Sequence, residues 1–179
     1  MKNIREIPYN YTSYSDREIV LRFLGQECWD DLNTLRGQRR TGQSARMLFE
    51  IIGDLWVVSR NPFIMDDLRN NPKRLRRMRA LHRDRLSRIE GAASGNPLAW
   101  KVASRAREML NEFYRRLREE KQLRRRVLRR FERVTHRNNV HFDPFSRVGH
   151  ATDATDWRQE YPFVVITPDR EDEIPHIIR

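Results

Sequence analysis

The chain has 179 residues, of which 34% are charged and 38% hydrophobic, and its formal net charge is +11. Its single cysteine, Cys28, excludes an internal disulfide and a cysteine-based metal cluster. No stretch approaches the roughly 20 apolar residues of a membrane span, and no apolar run follows the charged N-terminus as in a signal peptide, so we expect a cytoplasmic protein.

Residues 1–71 predict a small helical domain. Ser15 and Glu18 have the spacing of a capping box at the start of a first helix, and Gly25 is placed to end it. A second helix is expected over 26–35. The neighbouring apolar pattern predicts that the thiol of Cys28 is buried rather than reactive.

A third helix is predicted over 45–52, with Ser44 as its N-cap. The apolar run 55–58 follows, and it fits either a strand or a continued buried helix, because periodicity alone does not separate the two. Pro62 suits the first turn of a further helix. These segments complete the predicted N-terminal domain.

Residues 72–137 predict a long basic helical hairpin. Apolar residues recur at helical spacing over 72–90 and 97–137, and the breaker segment 91–96 joins the two helices in antiparallel order. Residues 73–134 hold 21 Lys and Arg against 7 Asp and Glu, so the basic charge is concentrated here. We expect this charge to dock on another domain of the same protein, with nucleic acid or an anionic membrane surface as alternatives. The arginines offered for such contacts are Arg115, Arg116, Arg124, Arg125, Arg126, Arg129 and Arg130.

Residues 138–161 predict a linker that packs against the helices. Its histidines and aspartates are the candidates for a metal site, but spacings of five and nine residues between the histidines match no ordinary zinc pattern. Asp153 and Asp156 are the nearest carboxylate pair, and residues three apart in an extended loop point to different sides. We therefore predict neither a metal site nor a catalytic residue here. The metal candidates considered are His136, His141, His150, Asp143 and Asp153.

Residues 162–179 predict one short strand and the start of one helix. The β-branched and aromatic run 163–166 lies between two prolines, as in a short buried strand. Acidic residues at 171–173 suit a helix N-terminus, and three isoleucines beyond them fall on one helical face.

Two stretches resemble known flavoproteins. The segments Thr152-Asp153-Ala154-Thr155, Trp157, Pro162-x-Val164-Val165-x-x-Pro168 and Glu173-Ile174 resemble the entry into the FAD-binding domain of FAD-linked oxidases. The resemblance is to the D-lactate dehydrogenase and glycolate oxidase group. Residues 5–20, with Arg60-Asn61-Pro62, resemble an uncharacterised module that precedes this domain in very large bacterial flavoproteins.

This resemblance implies that residues 162–179 are the first strand and helix of a truncated α/β FAD-binding domain, without its pyrophosphate loop. The whole chain is then a mainly α, non-catalytic N-terminal module of a large FAD-linked oxidoreductase of the 2-hydroxy acid type. It implies FAD in the intact parent protein, not bound to this chain, and assigns no cofactor-binding residue here. The expected partner is the remainder of that flavoprotein. The alternative is a basic helical nucleic-acid-binding protein.

Overall fold

The computed structural model describes residues 15–38, 42–151 and 160–178. These residues form eight α-helices and one two-stranded antiparallel sheet, which confirms a mainly α fold. Short 3-10 turns at Arg137–Asn139 and Glu171–Glu173 precede the first strand and the last helix. The elements are α1 (Asp16–Leu24), α2 (Gln26–Arg36), α3 (Gly42–Arg60), α4 (Pro62–Asn70), α5 (Pro72–Ala92), α6 (Pro97–Phe131), β1 (Val140–His141), α7 (Pro144–Gly149), β2 (Val165–Ile166) and α8 (Ile174–Ile178).

Local sequence sets most helix starts. The backbone N–H of Glu18 donates to Ser15 Oγ over 3.3 Å, and the Ser15 N–H donates to Glu18 Oε2 over 3.1 Å, which confirms the capping box. Gly25 ends α1 with φ +87°, a conformation that favours glycine. An asparagine caps each of α4, α5 and α6, and each is followed by proline at the first helical position.

The predicted start of α3 and the predicted end of α6 were wrong, and of the two alternatives left open for 55–58 the continued helix is present. α3 begins at Gly42, so Ser44 lies inside the helix, and 55–58 continues that helix. It continues because Leu48, Ile51, Ile52 and Leu55 fall on one face and are all buried in the core. α6 ends at Phe131 rather than 137 because a turn follows it, in which the Thr135 N–H donates to the Phe131 carbonyl.

One hydrophobic cluster fills the space between α1, α2, α3, α5 and α6. It includes residues on both sides of residue 71, such as Leu48 of α3 and Leu86 of α5. Ala103 and Ala106 are fully buried, and their small side chains let α6 lie close to its neighbours. Cys28 is also buried, as predicted, and burial raises the pKa of its thiol.

The C-terminal segment packs beside this helical body. In the sheet Val140 lies opposite Ile166 and His141 opposite Val165, and the Thr167 N–H donates to the Asn139 carbonyl over 3.0 Å. The predicted strand over 163–166 is thus present but shorter, and the segment predicted as a linker supplies its partner. The helix α8 follows.

Candidate functional site

Five charged side chains meet where the helices contact the C-terminal segment, and we call them the charged junction: Asp66, Arg69, Glu120, Arg124 and Arg147. Residues three or four apart lie on one side of a helix, which aligns Asp66 with Arg69 and Glu120 with Arg124. Between the helices Arg69 contacts Glu120, and Arg124 Nη1 lies 3.4 Å from Asp66 Oδ1. Each carboxylate therefore contacts an arginine of both α4 and α6.

The charged junction holds three guanidinium groups and two carboxylates, and both carboxylates contact Arg69 and Arg124. The side chain of Arg69 is only 9% exposed. Burial lowers the pKa of Arg69, attraction to Glu120 opposes this effect, and repulsion from Arg124 reinforces it. Burial also lowers the pKa of Arg147, together with repulsion from Arg124 and Arg69. Removing one carboxylate would leave partly buried positive charge without compensation.

The charged junction holds the C-terminal segment against the helices. Arg147 Nε donates to the Pro162 carbonyl oxygen over 2.6 Å. The Arg124 guanidinium lies 5.3 Å from the centroid of the Phe142 ring, and that ring meets Phe163 edge to face at 5.6 Å. These contacts link α6 and α7 to the residues just before β2.

An open groove of about 1140 Å³ lies next to the charged junction, lined by side chains of α1, α3, α4 and α6 and by residues around Tyr161. Arg60 lies in its wall, 5.5 Å from the Trp56 ring and 3.0 Å from a carboxylate oxygen of Glu160. Arginines and glutamates both line the groove, so its walls can pair with groups of either sign.

A second polar cluster lies between α3, α5 and α6, with a buried histidine at its centre and a partly exposed aspartate, Asp54, at its edge. His82 is 0% exposed, its Nε2 lies 3.3 Å from Asp54 Oδ2, and its Nδ1 lies 2.9 Å from Tyr114 Oη. Arg85 donates to the same Asp54 oxygen over 2.7 Å. Burial lowers the pKa of His82, so the neutral ring donates from Nε2 to Asp54 and accepts the Tyr114 hydroxyl at Nδ1. Both ring nitrogens are thereby satisfied.

Each of the three histidines between residues 136 and 150 has a different hydrogen-bond partner. His136 Nδ1 accepts from the Asn138 N–H, His141 Nε2 lies 3.0 Å from Thr167 Oγ1, and His150 bonds within α7. Within 15–38, 42–151 and 160–178, no group of three or more His, Cys, Asp and Glu side chains is placed to hold a metal ion. Asp153 and Asp156 lie outside the described residues.

The seven arginines named from sequence differ in whether a carboxylate pairs with them. Arg115 pairs with Glu112 and Glu119, and Arg116 pairs with Glu112. Arg124 belongs to the charged junction. The others are exposed and have no carboxylate within 4 Å among the residues that the structure describes: Arg125, Arg126, Arg129 and Arg130.

Sequence reasoning missed the charged junction. Glu120 stands in the polar stretch 119–122 of α6, yet its side chain is only 21% exposed and contacts Arg69 of α4. The one signal in the sequence is its place three residues after Leu117, on the side of α6 that carries buried apolar residues. His82 was more accessible to sequence reasoning, because it stands four residues before Leu86 on the buried face of α5.

None of the described helices is long and apolar enough to cross a membrane. No curated protein and no solved structure matches the chain. A family described as "Protein of unknown function (DUF3683)" matches residues 2–115, which include α1 to α5, the first half of α6 and the polar cluster of Asp54, His82 and Tyr114. Because this match covers more than half of its length, the chain belongs to the DUF3683 family.

Proposed function

We propose that this chain is a non-catalytic module of a large, cytoplasmic FAD-linked oxidoreductase that oxidises a 2-hydroxy acid. The role of the module is to hold the first strand and helix of the flavin domain and to dock the rest of that domain on the helices of this chain. The resemblance of residues 152–174 to the entry of such domains motivates the proposal.

The observation that carries the proposal is the surface presented by β2 and α8. β2 has β1 on one edge, and no strand of the described residues lies on its other edge. A free strand edge presents N–H and C=O groups that can pair with a further strand. The side chains of Ile174 and Ile178 on α8 are 42% and 79% exposed. An edge that no described strand pairs, followed along the chain by a helix with exposed isoleucines, fits a docked α/β layer.

The charged junction gives this surface a fixed position. Through Arg147 and Pro162 it ties the entry of β2 to α7, and through Arg124 it ties the same region to α6. A docked flavin domain would then be held at a defined place on the helical body. The polar cluster around His82 lies within that body, between α3, α5 and α6.

The test is the flavin content of two proteins. The native polypeptide that contains these residues, purified from its own host, is expected to carry FAD. The 179-residue chain alone is expected to show no FAD binding in a fluorescence titration. Native polypeptide without flavin, or sub-micromolar FAD binding by the chain alone, would contradict the proposal.

A further inference from the structure

We propose that one face of the α5–α6 hairpin binds the phosphate backbone of a nucleic acid, a function separate from flavin-domain docking. We call this surface the basic face. It consists of Arg76, Arg79 and Arg83 on α5, with Arg118, Lys121 and Arg125 on α6. It shares only Arg125 with the arginines named from sequence.

Helical spacing places these residues in two rows. Positions 76, 79 and 83 have the i, i+3, i+7 spacing of one face of α5. Positions 114, 118, 121 and 125 have the i, i+4, i+7, i+11 spacing, which also defines a single face, on α6. The Arg79 guanidinium lies 5.4 Å from the centroid of the Tyr114 ring, which brings the two rows together. Each set of three cations spans about 10 Å along its helix.

The cations of the basic face are not neutralised by carboxylates. All six side chains are exposed, and none has a carboxylate within 4 Å in the described part of the chain. Residues 73–83 contain no Asp or Glu. Some arginines elsewhere on the same helices are paired: Arg85 contacts Glu50 and Asp54, and Arg88 contacts Asp84. The basic face therefore carries six uncompensated cations in two adjacent rows, while five further exposed cations of α5 and α6 also lack a carboxylate partner in the described residues: Lys73, Arg77, Arg126, Arg129 and Arg130.

The polarity of the face favours nucleic acid over other anionic partners. Leu81 and Leu123 are the exposed large apolar side chains nearest to the basic face in sequence. Each is two residues from a cation of that face, and residues two apart point to different sides of a helix. Protein interfaces have an apolar centre, and membrane-surface helices insert an apolar face. Nucleic-acid interfaces are more polar and strongly positive. Arginine also binds phosphate through two N–H groups at once.

Fluorescence anisotropy with the full chain tests the proposal. The probes are a labelled single-stranded RNA and a labelled DNA duplex, each of about 20 units, longer than the usual single-strand site. The test variant combines Arg76→Gln, Arg83→Gln, Arg118→Gln and Arg125→Gln. We expect the wild-type chain to bind at least one probe, and the slope of log K against log salt to lose about 3 in magnitude when four phosphate contacts are removed.

A matched control also removes four positive charges from α5 and α6, but at positions outside the basic face. It combines Arg88→Gln, Arg105→Gln, Arg115→Gln and Arg116→Gln, and each of these arginines has a carboxylate partner. We expect this control to keep the wild-type slope within about 1. Circular dichroism of both variants establishes that the helices remain folded, and if the test variant unfolds, its α5 and α6 pairs are assayed separately.

Three outcomes overturn the proposal. The first is a wild-type chain that binds neither probe at low salt. The second is an equal decrease of the salt-dependence slope in the test variant and the control, which would mean that binding depends on net charge and not on the basic face. The third is binding to vesicles of anionic phospholipid that exceeds binding to both nucleic acids and is lost in the test variant.

Discussion

Arg147 and Pro162 are 15 residues apart, and the Arg147 Nε–H donates to the Pro162 carbonyl oxygen over 2.6 Å. This contact fixes the chain three residues before β2 begins at Val165. Arg147 itself lies among the positive charges of Arg69 and Arg124. The position of β2 therefore depends on the same charged groups that join α4 to α6.

Replacing Arg147 with Gln is expected to loosen the sheet without unfolding the helices. A hydrogen bond to a charged group contributes about 1.5–3 kcal/mol. Losing this bond is expected to destabilise the C-terminal segment, because Pro162 belongs to it. The Thr167 amide, which donates to the Asn139 carbonyl, should exchange at least about tenfold faster in hydrogen-exchange NMR. Arg137→Gln, at an exposed pair with Glu132, is the control. Equal exchange rates in the two variants would contradict this role for Arg147.

Glu120→Gln is expected to lower the free energy of unfolding by about 2 kcal/mol or more, because Arg69 and Arg124 would lose a shared, partly buried carboxylate. The neighbouring Glu119→Gln removes the same charge from an exposed pair with Arg115. That control should change the free energy by less than about 1 kcal/mol. Urea denaturation measures both values, and similar losses in the two variants would refute the importance of the charged junction.

The buried imidazole of His82 predicts a pH dependence of stability. Burial lowers its pKa in the folded protein below the ordinary value of 6.5. As the pH falls through about 6.5, the unfolded chain binds a proton while the folded protein does not, so the free energy of unfolding decreases. The slope approaches about 1.4 kcal/mol per pH unit down to the folded-state pKa. Above about pH 7 this group makes no pH-dependent contribution.

The variant His82→Gln isolates this effect. Thermal denaturation between pH 5 and 7.5 should show a smaller decrease of Tm with falling pH than in the wild-type chain, whatever the loss of stability at neutral pH. His176→Gln changes an exposed histidine on α8 and should keep the wild-type pH dependence. A wild-type pH dependence in His82→Gln would assign the effect to other groups.

Sequence reasoning identified the features that depend on neighbouring residues. The capping box of Ser15 and Glu18 and the Asn61-Pro62 helix start act within one turn, so their patterns are readable. β1 has only two residues, Val140 and His141, and exists because a strand 25 residues later pairs with it. The inward position of Glu120 depends on Arg69, which lies on another helix. Such features need the packing of distant segments, which one sequence does not display.

The exposed isoleucines of α8 provide a test of docking. Ile178→Asp should change the stability of the isolated chain by less than about 0.5 kcal/mol, because the side chain is already 79% exposed. In the native polypeptide the same change should weaken contact with the flavin domain and increase proteolysis next to α8. Val57→Asp alters a side chain that is 52% exposed on α3 and should leave that cleavage unchanged. Equal cleavage of both variants would show that α8 does not take part in docking.

The most direct measurement is the absorbance of the native polypeptide before and after anaerobic addition of D-lactate or glycolate. The proposed function predicts a bound-flavin spectrum that is bleached by at least one of these 2-hydroxy acids, because hydride transfer reduces FAD. A polypeptide without a flavin spectrum would contradict the assignment to FAD-linked oxidoreductases.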